Sequence, residues 1–225
     1  MGVLRLHAGA TLPVLTIASS KGGPGKTTVA MLLAGALADE GRRVVALDAD
    51  PTLALSRWAG NAYEGPAFIC HAEADEARLA HLIDRAASEA DIVIVDTAGF
   101  GNRAAAVAMT SADAILIPTL SGEADVTEAE KTMRLAEGLA RAARREIPTA
   151  VLLNKVRRTQ LTRHASQEIA AAGLPRLEAT LSDLVAYGEL SYSGRIPQAG
   201  PAAVELAGLL AELRGRGWIP GGRGA

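Results

Sequence analysis

The sequence feature that most constrains the fold is a glycine-rich segment, Ser19–Thr28, which separates an apolar run typical of a strand from an Ala- and Leu-rich run typical of a helix. Glycines at three positions, Gly22, Gly23 and Gly25, allow the backbone to turn tightly so that its N–H groups converge. The N-terminus of the following helix adds partial positive charge at the same point. The segment therefore predicts a phosphate-binding loop between the first strand and the first helix.

The side chains of this loop suit a nucleoside triphosphate and its metal ion. Lys26 is placed to reach the β- and γ-phosphates, and Thr27 offers the hydroxyl that ligates Mg²⁺, with Thr28 completing the motif. The strict pattern G-x-x-x-x-G-K-[ST] fails because Ser20 occupies its first glycine position, and a second lysine, Lys21, follows. The segment is therefore a variant phosphate loop rather than an ordinary strand-to-helix turn.

Along the rest of the chain, β-branched apolar runs alternate with helical patterns, as in a parallel sheet that is covered on both faces. We therefore predict one α/β domain of the P-loop NTPase type, with a doubly wound, mostly parallel sheet and helices on both faces. The predicted strands are Pro13–Ala18, Arg43–Leu47, Ala67–Cys70, Ile92–Val95, Ala114–Pro118, Thr149–Leu153 and Arg176–Glu178. The predicted helices are Lys26–Glu40, Thr52–Ala59, Asp75–Ser88, Arg103–Thr110, Ala124–Arg145, Thr162–Ala172, Leu184–Leu190 and Ala202–Arg214. Residues 1–11 and 215–225 are predicted to be frayed ends.

Aspartates follow two of the predicted strands. Asp48 and Asp50 come at the end of the second strand, and Asp96 follows the fourth, with Gly99 soon after it. Ligands of open α/β sheets bind at the carboxyl ends of the strands, so these carboxylates are expected beside the phosphate loop. A single aspartate after a strand is most often a helix cap, but two such segments behind a phosphate loop predict a metal and catalytic site.

Composition excludes several classes of protein. The chain is 49% hydrophobic and 21% charged, which indicates a globular protein, and its 3% aromatic content argues against RRM- and OB-type RNA binders. The lone cysteine, Cys70, permits no internal disulfide, zinc or iron–sulfur site within one chain. No apolar stretch approaches the roughly 20 residues of a membrane span, and no signal peptide is evident, so we expect a cytoplasmic protein without a membrane contact.

The net charge of −2 conceals an asymmetry along the chain. Residues 1–130 hold 9 Lys and Arg against 17 Asp and Glu, a net of −8, whereas residues 131–225 hold 14 against 8, a net of +6. A basic C-terminal portion favours a polyanionic partner.

The loop sequence K-G-G-P-G-K-T-T resembles the deviant Walker motif, K-G-G-x-G-K-T-[ST], of the ParA/MinD family of P-loop ATPases. The resemblance implies a slow, Mg²⁺-dependent ATPase that forms an ATP-dependent homodimer, in which Lys21 reaches the phosphates bound by the partner subunit. It also implies that Asp50 orients the attacking water, that Asp48 supports the Mg²⁺ and loop region, and that Asp96 holds Mg²⁺ through water. Gly99 would give the following loop the freedom to respond to the γ-phosphate.

The family also places an asparagine against the adenine base at the end of the sixth strand, which makes Asn154 the candidate for base recognition. The alternative is an asparagine that simply ends a strand in a turn. The guanine-reading pattern N-K-x-D lacks its aspartate here, since Arg157 occupies that position, and this favours ATP over GTP.

These motifs specify an ATPase but not its output. Nitrogenase-iron-protein relatives need more cysteines, and MinD-type relatives end in a basic amphipathic membrane helix that the Gly- and Pro-rich 215–222 segment cannot form. The chain is most similar to small ParA-type partition ATPases. VirC-like relatives, which assist conjugative DNA transfer, and cargo-positioning relatives share the same ATPase core. A metabolic enzyme of the dethiobiotin synthetase or cobyrinate amidase type is the alternative.

The ParA resemblance implies non-specific binding of double-stranded DNA in the ATP state, association with the nucleoid, and a ParB-like or cargo adaptor that stimulates hydrolysis. Candidate DNA contacts are Arg157, Arg158 and Arg163, because binding to DNA phosphates requires only suitably placed positive charge. Arginines near the end of the preceding helix, at positions 141, 144 and 145, are further candidates, although arginines there also complement the helix dipole.

Overall fold

The computed structural model describes residues 14–99, 101–157 and 160–222. Its strands are β1 (Val14–Ile17), β2 (Val44–Ala49), β3 (Ile69–Ala72), β4 (Ile92–Thr97), β5 (Ala114–Thr119) and β6 (Thr149–Leu153). Its helices are α1 (Lys26–Asp39), α2 (Ala54–Asn61), α3 (Glu76–Glu89), α4 (Arg103–Ser111), α5 (Glu123–Ala142), α6 (Gln160–Ala171), α7 (Val185–Ser193) and α8 (Gly200–Gly215). The predicted helices and six of the predicted strands are present, with ends that differ from the predictions by up to three residues.

The six strands form one sheet in the order β3-β2-β4-β1-β5-β6, and every neighbouring pair is parallel. After β1 the chain passes to β2 on one side of the sheet, and it later returns to β5 and β6 on the other side. The carboxyl end of β1 therefore lies where the direction of winding reverses, and in such sheets a crevice for ligands opens at that point.

Helices cover both faces of the sheet. Ile92 and Ile94 of β4 pack in a core cluster with α1, α7 and α8, whereas Val93 and Val95 pack on the opposite face with α3 and α4. A third cluster joins β5 and β6 to α5 and α6. This arrangement confirms the predicted doubly wound α/β fold. Among the described helices, none is both long and apolar enough to cross a membrane.

The predicted strand Arg176–Glu178 is wrong, because this segment forms only an isolated bridge in which Arg176 pairs with Val151. The Val151 N–H donates to Pro175 O, and the Leu177 N–H donates to Val151 O. The next two N–H groups then turn away from the sheet and donate to the carboxylate of Glu212 on α8. Pairing therefore stops after one residue.

The prediction of a frayed C-terminus is wrong for residues 218–220, which are buried. Trp218 is 4% exposed and Ile219 1% exposed, and both belong to the core cluster that contains α1 and α8. The Trp218 N–H donates to Leu213 O, and the guanidinium carbon of Arg216 lies 5.7 Å from the centroid of the Trp218 ring. Residues 1–11 and 223–225 lie outside the described part of the chain.

Candidate nucleotide-binding site

The phosphate loop connects β1 to Gly25, the residue that caps α1. Gly23 and Gly25 have φ angles of 97° and 93°, a backbone region that residues with a side chain rarely adopt. A Cβ atom on Gly25 would also lie 2.3 Å from Nδ2 of Asn154. No side chain caps the N-terminus of α1, so the first N–H groups of the helix are left for a bound anion.

Lys26, the first residue of α1, is only 7% exposed, and its Nζ donates to the carbonyl of Lys21 at 3.1 Å across the loop. Burial lowers the pKa of this amine, while the nearby carboxylates of Asp96 and Asp50 oppose that shift. A buried ammonium group with one carbonyl partner retains donor capacity for phosphate oxygens. Its position therefore fits the predicted contact with a nucleotide.

Asp96 is the most perturbed carboxylate of the site. It is the penultimate residue of β4, opposite Asp48 of β2, is fully buried, and has no hydrogen-bonding partner on either carboxylate oxygen among the described residues. Burial raises its pKa to about 7, and the charges of Asp48 and Asp50 add to this rise, while Thr27 and Lys26 oppose it. An orphaned buried carboxylate beside the hydroxyl of Thr27 is a donor set that suits a hydrated Mg²⁺ ion. The residues present therefore fit the predicted metal.

Asp48 and Asp50 organise the loop that follows β2. One oxygen of Asp48 accepts from the Asp50 N–H at 3.2 Å, and the other accepts from the Ser56 N–H at 2.8 Å. The Asp50 carboxylate accepts from the Thr52 N–H at 2.8 Å, which leaves its second oxygen available at the edge of the site. Asp48 thus acts in this structure as an anchor for the loop that carries Asp50.

The loop after β4 lies against the phosphate loop. A Cβ on Gly99 would come within 3.7 Å of the backbone of Ser20, Lys21 and Gly22, which is ordinary van der Waals contact. The two loops border an open cleft of about 830 Å³, whose wall also includes Asn102 and Arg103. A change in the conformation of one loop would therefore displace the other.

Asn154 is buried, with 3% exposure, and its side chain contacts the phosphate loop. Its Nδ2 donates to Pro24 O at 2.7 Å, and its Oδ1 accepts from the Lys155 N–H at 2.9 Å. Both ends of the side-chain amide are therefore engaged within the protein. The predicted contact with the adenine base stays a prediction.

Lys21 points away from the loop that contains it. Its Nζ forms an ion pair with Asp125 Oδ1 at 2.8 Å, and Asp125 lies in the first turn of α5. The preceding residue, Ser20, also contacts α5, through Glu128 and Thr132. These three residues of α5 were not predicted from the sequence, since no motif marks them and they are more than 100 positions away from the loop.

The candidate DNA-binding arginines differ in their surroundings. Arg157 is exposed and paired with Asp183 at 2.5 Å, and Arg163 is exposed on α6. Arg158 lies outside the described residues. At the end of α5, Arg141 and Arg144 are exposed, but the Arg145 guanidinium pairs with Asp113 at 2.9 Å and also donates to Thr110 O. Arg145 thus has a structural role.

Comparison with protein families matches residues 12–197 to the family described as VirC1 protein. The chain is 32% identical over 192 residues to the protein virC1 of Rhizobium rhizogenes, and the match covers 82% of this chain and 83% of that protein. It is 33% identical over 188 residues to the protein ParA of Rhizobium radiobacter, which covers 81% of this chain and 84% of that protein.

Among solved structures, the fold is similar to that of a McdA variant from Cyanothece in complex with ATP. The TM-score is 0.77 and the sequence identity 17%, and the match covers 95% of this chain and 99% of that one. At this identity, the similarity supports the fold of the sheet and its helices.

Proposed function

Since this chain belongs to the VirC1 family, within the wider ParA/MinD family of P-loop ATPases, we propose that it is an ATP-dependent switch. In this proposal it dimerises with ATP, binds DNA without sequence preference, and positions DNA or another cargo. The single observation that carries the proposal is that a buried lysine, Lys26, and a buried carboxylate, Asp96, which has no hydrogen-bonding partner among the described residues, lie at the base of a glycine-rich loop.

The chain's own residues account for nucleotide binding. The backbone of Gly22, Gly23 and Gly25 would surround the phosphates, and Lys26 would exchange its bond to Lys21 O for phosphate oxygens. Thr27, through its hydroxyl, and Asp96, through water, would hold Mg²⁺, with Asp48 fixing the adjacent loop. Mg²⁺ held there neutralises negative charge on the β- and γ-phosphates.

Hydrolysis requires a water in line with the γ-phosphate and a positive charge on the opposite side. Asp50 is the candidate that orients the water, because the Asp48 and Thr52 contacts fix its backbone and one of its carboxylate oxygens. Lys21 of the partner subunit is the candidate for the additional charge, in the manner of an arginine finger. Dimer formation would then be needed for turnover, which makes the basal reaction slow.

DNA binding is proposed for the exposed Arg163 on α6, with Arg157 contributing if its pair with Asp183 opens. Arg141 and Arg144, at the end of α5 and thus at the opposite edge of the sheet, are separate candidates. Contacts to phosphates alone give affinity without sequence preference and a steep loss with salt. The protein would then associate with the nucleoid in its ATP state, and an adaptor protein would stimulate hydrolysis and release.

The family match favours a VirC1-like role in DNA transfer as the second candidate, since the matched model covers residues 12–197. Partition and cargo positioning use the same ATPase core and differ in the adaptor. A metabolic P-loop enzyme would differ from all of these, because it would need neither a dimer nor DNA.

The first experiment measures Mg²⁺-dependent hydrolysis of ATP and GTP, together with sedimentation in the presence of ATP. Wild-type protein should hydrolyse ATP slowly and sediment as a dimer. Lys26→Ala should not bind nucleotide, and Lys21→Ala should bind ATP without turnover. Wild-type turnover by Lys21→Ala would exclude the proposed role of the partner's lysine. Equal turnover of GTP would exclude base selection by Asn154.

The second experiment is a gel-shift titration with duplexes of unrelated sequence, at two salt concentrations, with ATP or ADP. The double variant Arg157→Glu, Arg163→Glu should lose affinity on all sequences while keeping ATP binding. Arg78→Glu, Arg85→Glu on α3 makes the same change in charge and serves as the control, because α3 covers the β2 and β4 half of the sheet, away from β6 and α6. Equal affinity in both nucleotide states, or none in either, would refute the DNA switch.

A further inference from the structure

The segment of residues 181–184 lies beside the turn that contains Asn154, the candidate for base recognition. The Leu181 N–H donates to Leu153 O at 3.0 Å, and Leu181 O accepts from the Val156 N–H at 2.9 Å. The turn of Asn154 lies between these two bonds. The position of segment 181–184 therefore determines the position of the turn.

The turn itself is strained and depends on its surroundings. Lys155, which follows Asn154, has a φ of 50°, a left-handed conformation that residues with a side chain rarely adopt. Its N–H donates to Asn154 Oδ1 at 2.9 Å, and the Asp183 N–H donates to Val156 O at 2.9 Å. Such a conformation persists only where neighbouring contacts fix it. The contacts that hold segment 181–184 therefore also stabilise the conformation of Asn154.

Glu205 of α8 binds this segment through both of its carboxylate oxygens. The Ser182 N–H donates to Oε2 at 2.9 Å, and the Ser182 hydroxyl donates to Oε1 at 2.6 Å. The Tyr187 hydroxyl also donates to Oε2, at 3.0 Å. Burial, and after it the charge of Glu205, raises the pKa of Tyr187, so this hydroxyl stays protonated and remains a donor. One carboxylate of α8 thus accepts three hydrogen bonds from segment 181–184 and the helix that follows it.

A second carboxylate of α8, Glu212, makes a similar contact at a different level of the sheet. It lies seven positions, or two helical turns, after Glu205. It accepts from the N–H groups of Glu178 and Ala179 at 3.0 and 2.7 Å. These residues follow the bridge to Val151, in the middle of β6, whereas Ser182 lies beyond the end of β6. Of these two carboxylates, Glu205 is therefore the one beside the turn of Asn154.

We propose that Glu205 is a positioning residue for nucleotide binding, which fixes segment 181–184, and with it the turn of Asn154, at the base end of the nucleotide site. The proposal rests on the proposed function, in which Asn154 lies against the base. Glu205 bonds to Ser182 and Tyr187 and thus acts through the segment.

The phosphate loop is held by other contacts. The Ser20 N–H donates to the Thr132 hydroxyl at 2.9 Å, and the Ser20 hydroxyl donates to the Glu128 carboxylate at 2.8 Å, both on α5. Lys26 bonds within the loop. Loss of the Glu205 carboxylate should therefore displace the base end of the site and leave the phosphate end in place.

The experiment compares Glu205→Gln with Glu212→Gln, a matched control that makes the same change on the same helix. Glutamine keeps one acceptor oxygen and presents an NH₂ group where the carboxylate accepted a hydrogen bond. Both variants should lose stability to urea. With Glu205→Gln alone, the Kd for Mg²⁺–ATP should rise roughly three- to tenfold, the range that one hydrogen bond supports. Ser182→Ala, which removes the hydroxyl but keeps the N–H, should raise this Kd by less.

Tripolyphosphate, which carries three phosphates without a base or ribose, separates the two ends of the site. Its affinity, measured by competition with a fluorescent ATP analogue, should be the same in wild type, Glu205→Gln and Glu212→Gln. A variant that weakened the whole fold would lose affinity for both ligands.

Hydrogen exchange tests the contact in the protein without nucleotide. In Glu205→Gln the amide of Ser182 should exchange faster than in wild type, because its acceptor is lost. In Glu212→Gln the amides of Glu178 and Ala179 should exchange faster instead.

Unchanged exchange at Ser182 in Glu205→Gln would overturn the contact in solution. Equal weakening of ATP binding by Glu205→Gln and Glu212→Gln, or an equal loss for tripolyphosphate, would overturn the role at the base end. A wild-type chain that does not bind ATP would refute the proposed function and with it the role of Glu205 in nucleotide binding, while hydrogen exchange would still decide whether Glu205 holds the segment.

Discussion

Asp96 is buried, and among the described residues neither of its carboxylate oxygens has a hydrogen-bonding partner. The stability of the nucleotide-free protein should therefore depend on pH through the ionisation of this group. The perturbation is Asp96→Asn, which keeps the shape of the side chain but cannot ionise. In the folded protein, burial raises the pKa of Asp96 from 3.8 to about 7. The folded state therefore holds this proton more tightly than the unfolded state does.

A raised carboxyl pKa stabilises the folded protein at low pH, and that contribution is lost as the pH rises through the folded-state value. This shift in pKa corresponds to a contribution of about 4 kcal/mol to the free energy of unfolding. Roughly 3 kcal/mol of that contribution is lost between pH 5 and pH 8. In Asp96→Asn the side chain cannot ionise, so this loss of stability with rising pH does not occur. The difference in the free energy of unfolding between wild type and variant should therefore change by roughly 3 kcal/mol across that range, in favour of the variant at high pH.

The assay is urea unfolding of both proteins at several pH values between 5 and 8, with EDTA and without nucleotide. The part of the difference in unfolding free energy that is the same at every pH reports the cost of the buried amide. The part that varies with pH reports the ionisation of Asp96. With Mg²⁺ and ATP, wild type should gain more stability than the variant, because a cation removes the cost of the buried charge. A difference in unfolding free energy that does not vary with pH would refute the reasoning.

Three further substitutions test individual contacts. Gly25→Ala should cost about 1–3 kcal/mol of unfolding free energy and abolish ATP binding by calorimetry, because its φ is 93° and its Cβ would meet Asn154. Asn154→Ala should cost about 1–3 kcal/mol, since Pro24 O loses its donor. It should weaken ATP and GTP equally if Asn154 only braces the loop, and should remove discrimination between them if it reads the base. Trp218→Ala should cost about 3–5 kcal/mol in urea unfolding, whereas a loss under ~1 kcal/mol would contradict the packing of the C-terminal segment.

Much of the fold could be predicted from local patterns. The apolar run of β4 and the helical run of α3 give elements within a residue or two of their predicted bounds, because side-chain periodicity depends on neighbours in sequence. The glycines and lysines of the phosphate loop, and the aspartates at the carboxyl ends of β2 and β4, were likewise located from the sequence. Parallel strands bring their carboxyl ends to one edge, which is why Asp48 and Asp96 meet in register.

Contacts between distant segments were decided only by the tertiary structure. Trp218 is buried although glycines and a proline lie close to it in sequence, because the fold brings it into the core cluster that contains residues of α1 and α8. Asn154 reaches Pro24 across 130 positions, and Arg157 is partly neutralised by Asp183. The pairing of Lys21 with Asp125 spans 104 positions. Local sequence determines which groups a loop or strand offers, but whether each group meets a phosphate, a carboxylate or the core depends on which segments the fold brings beside it.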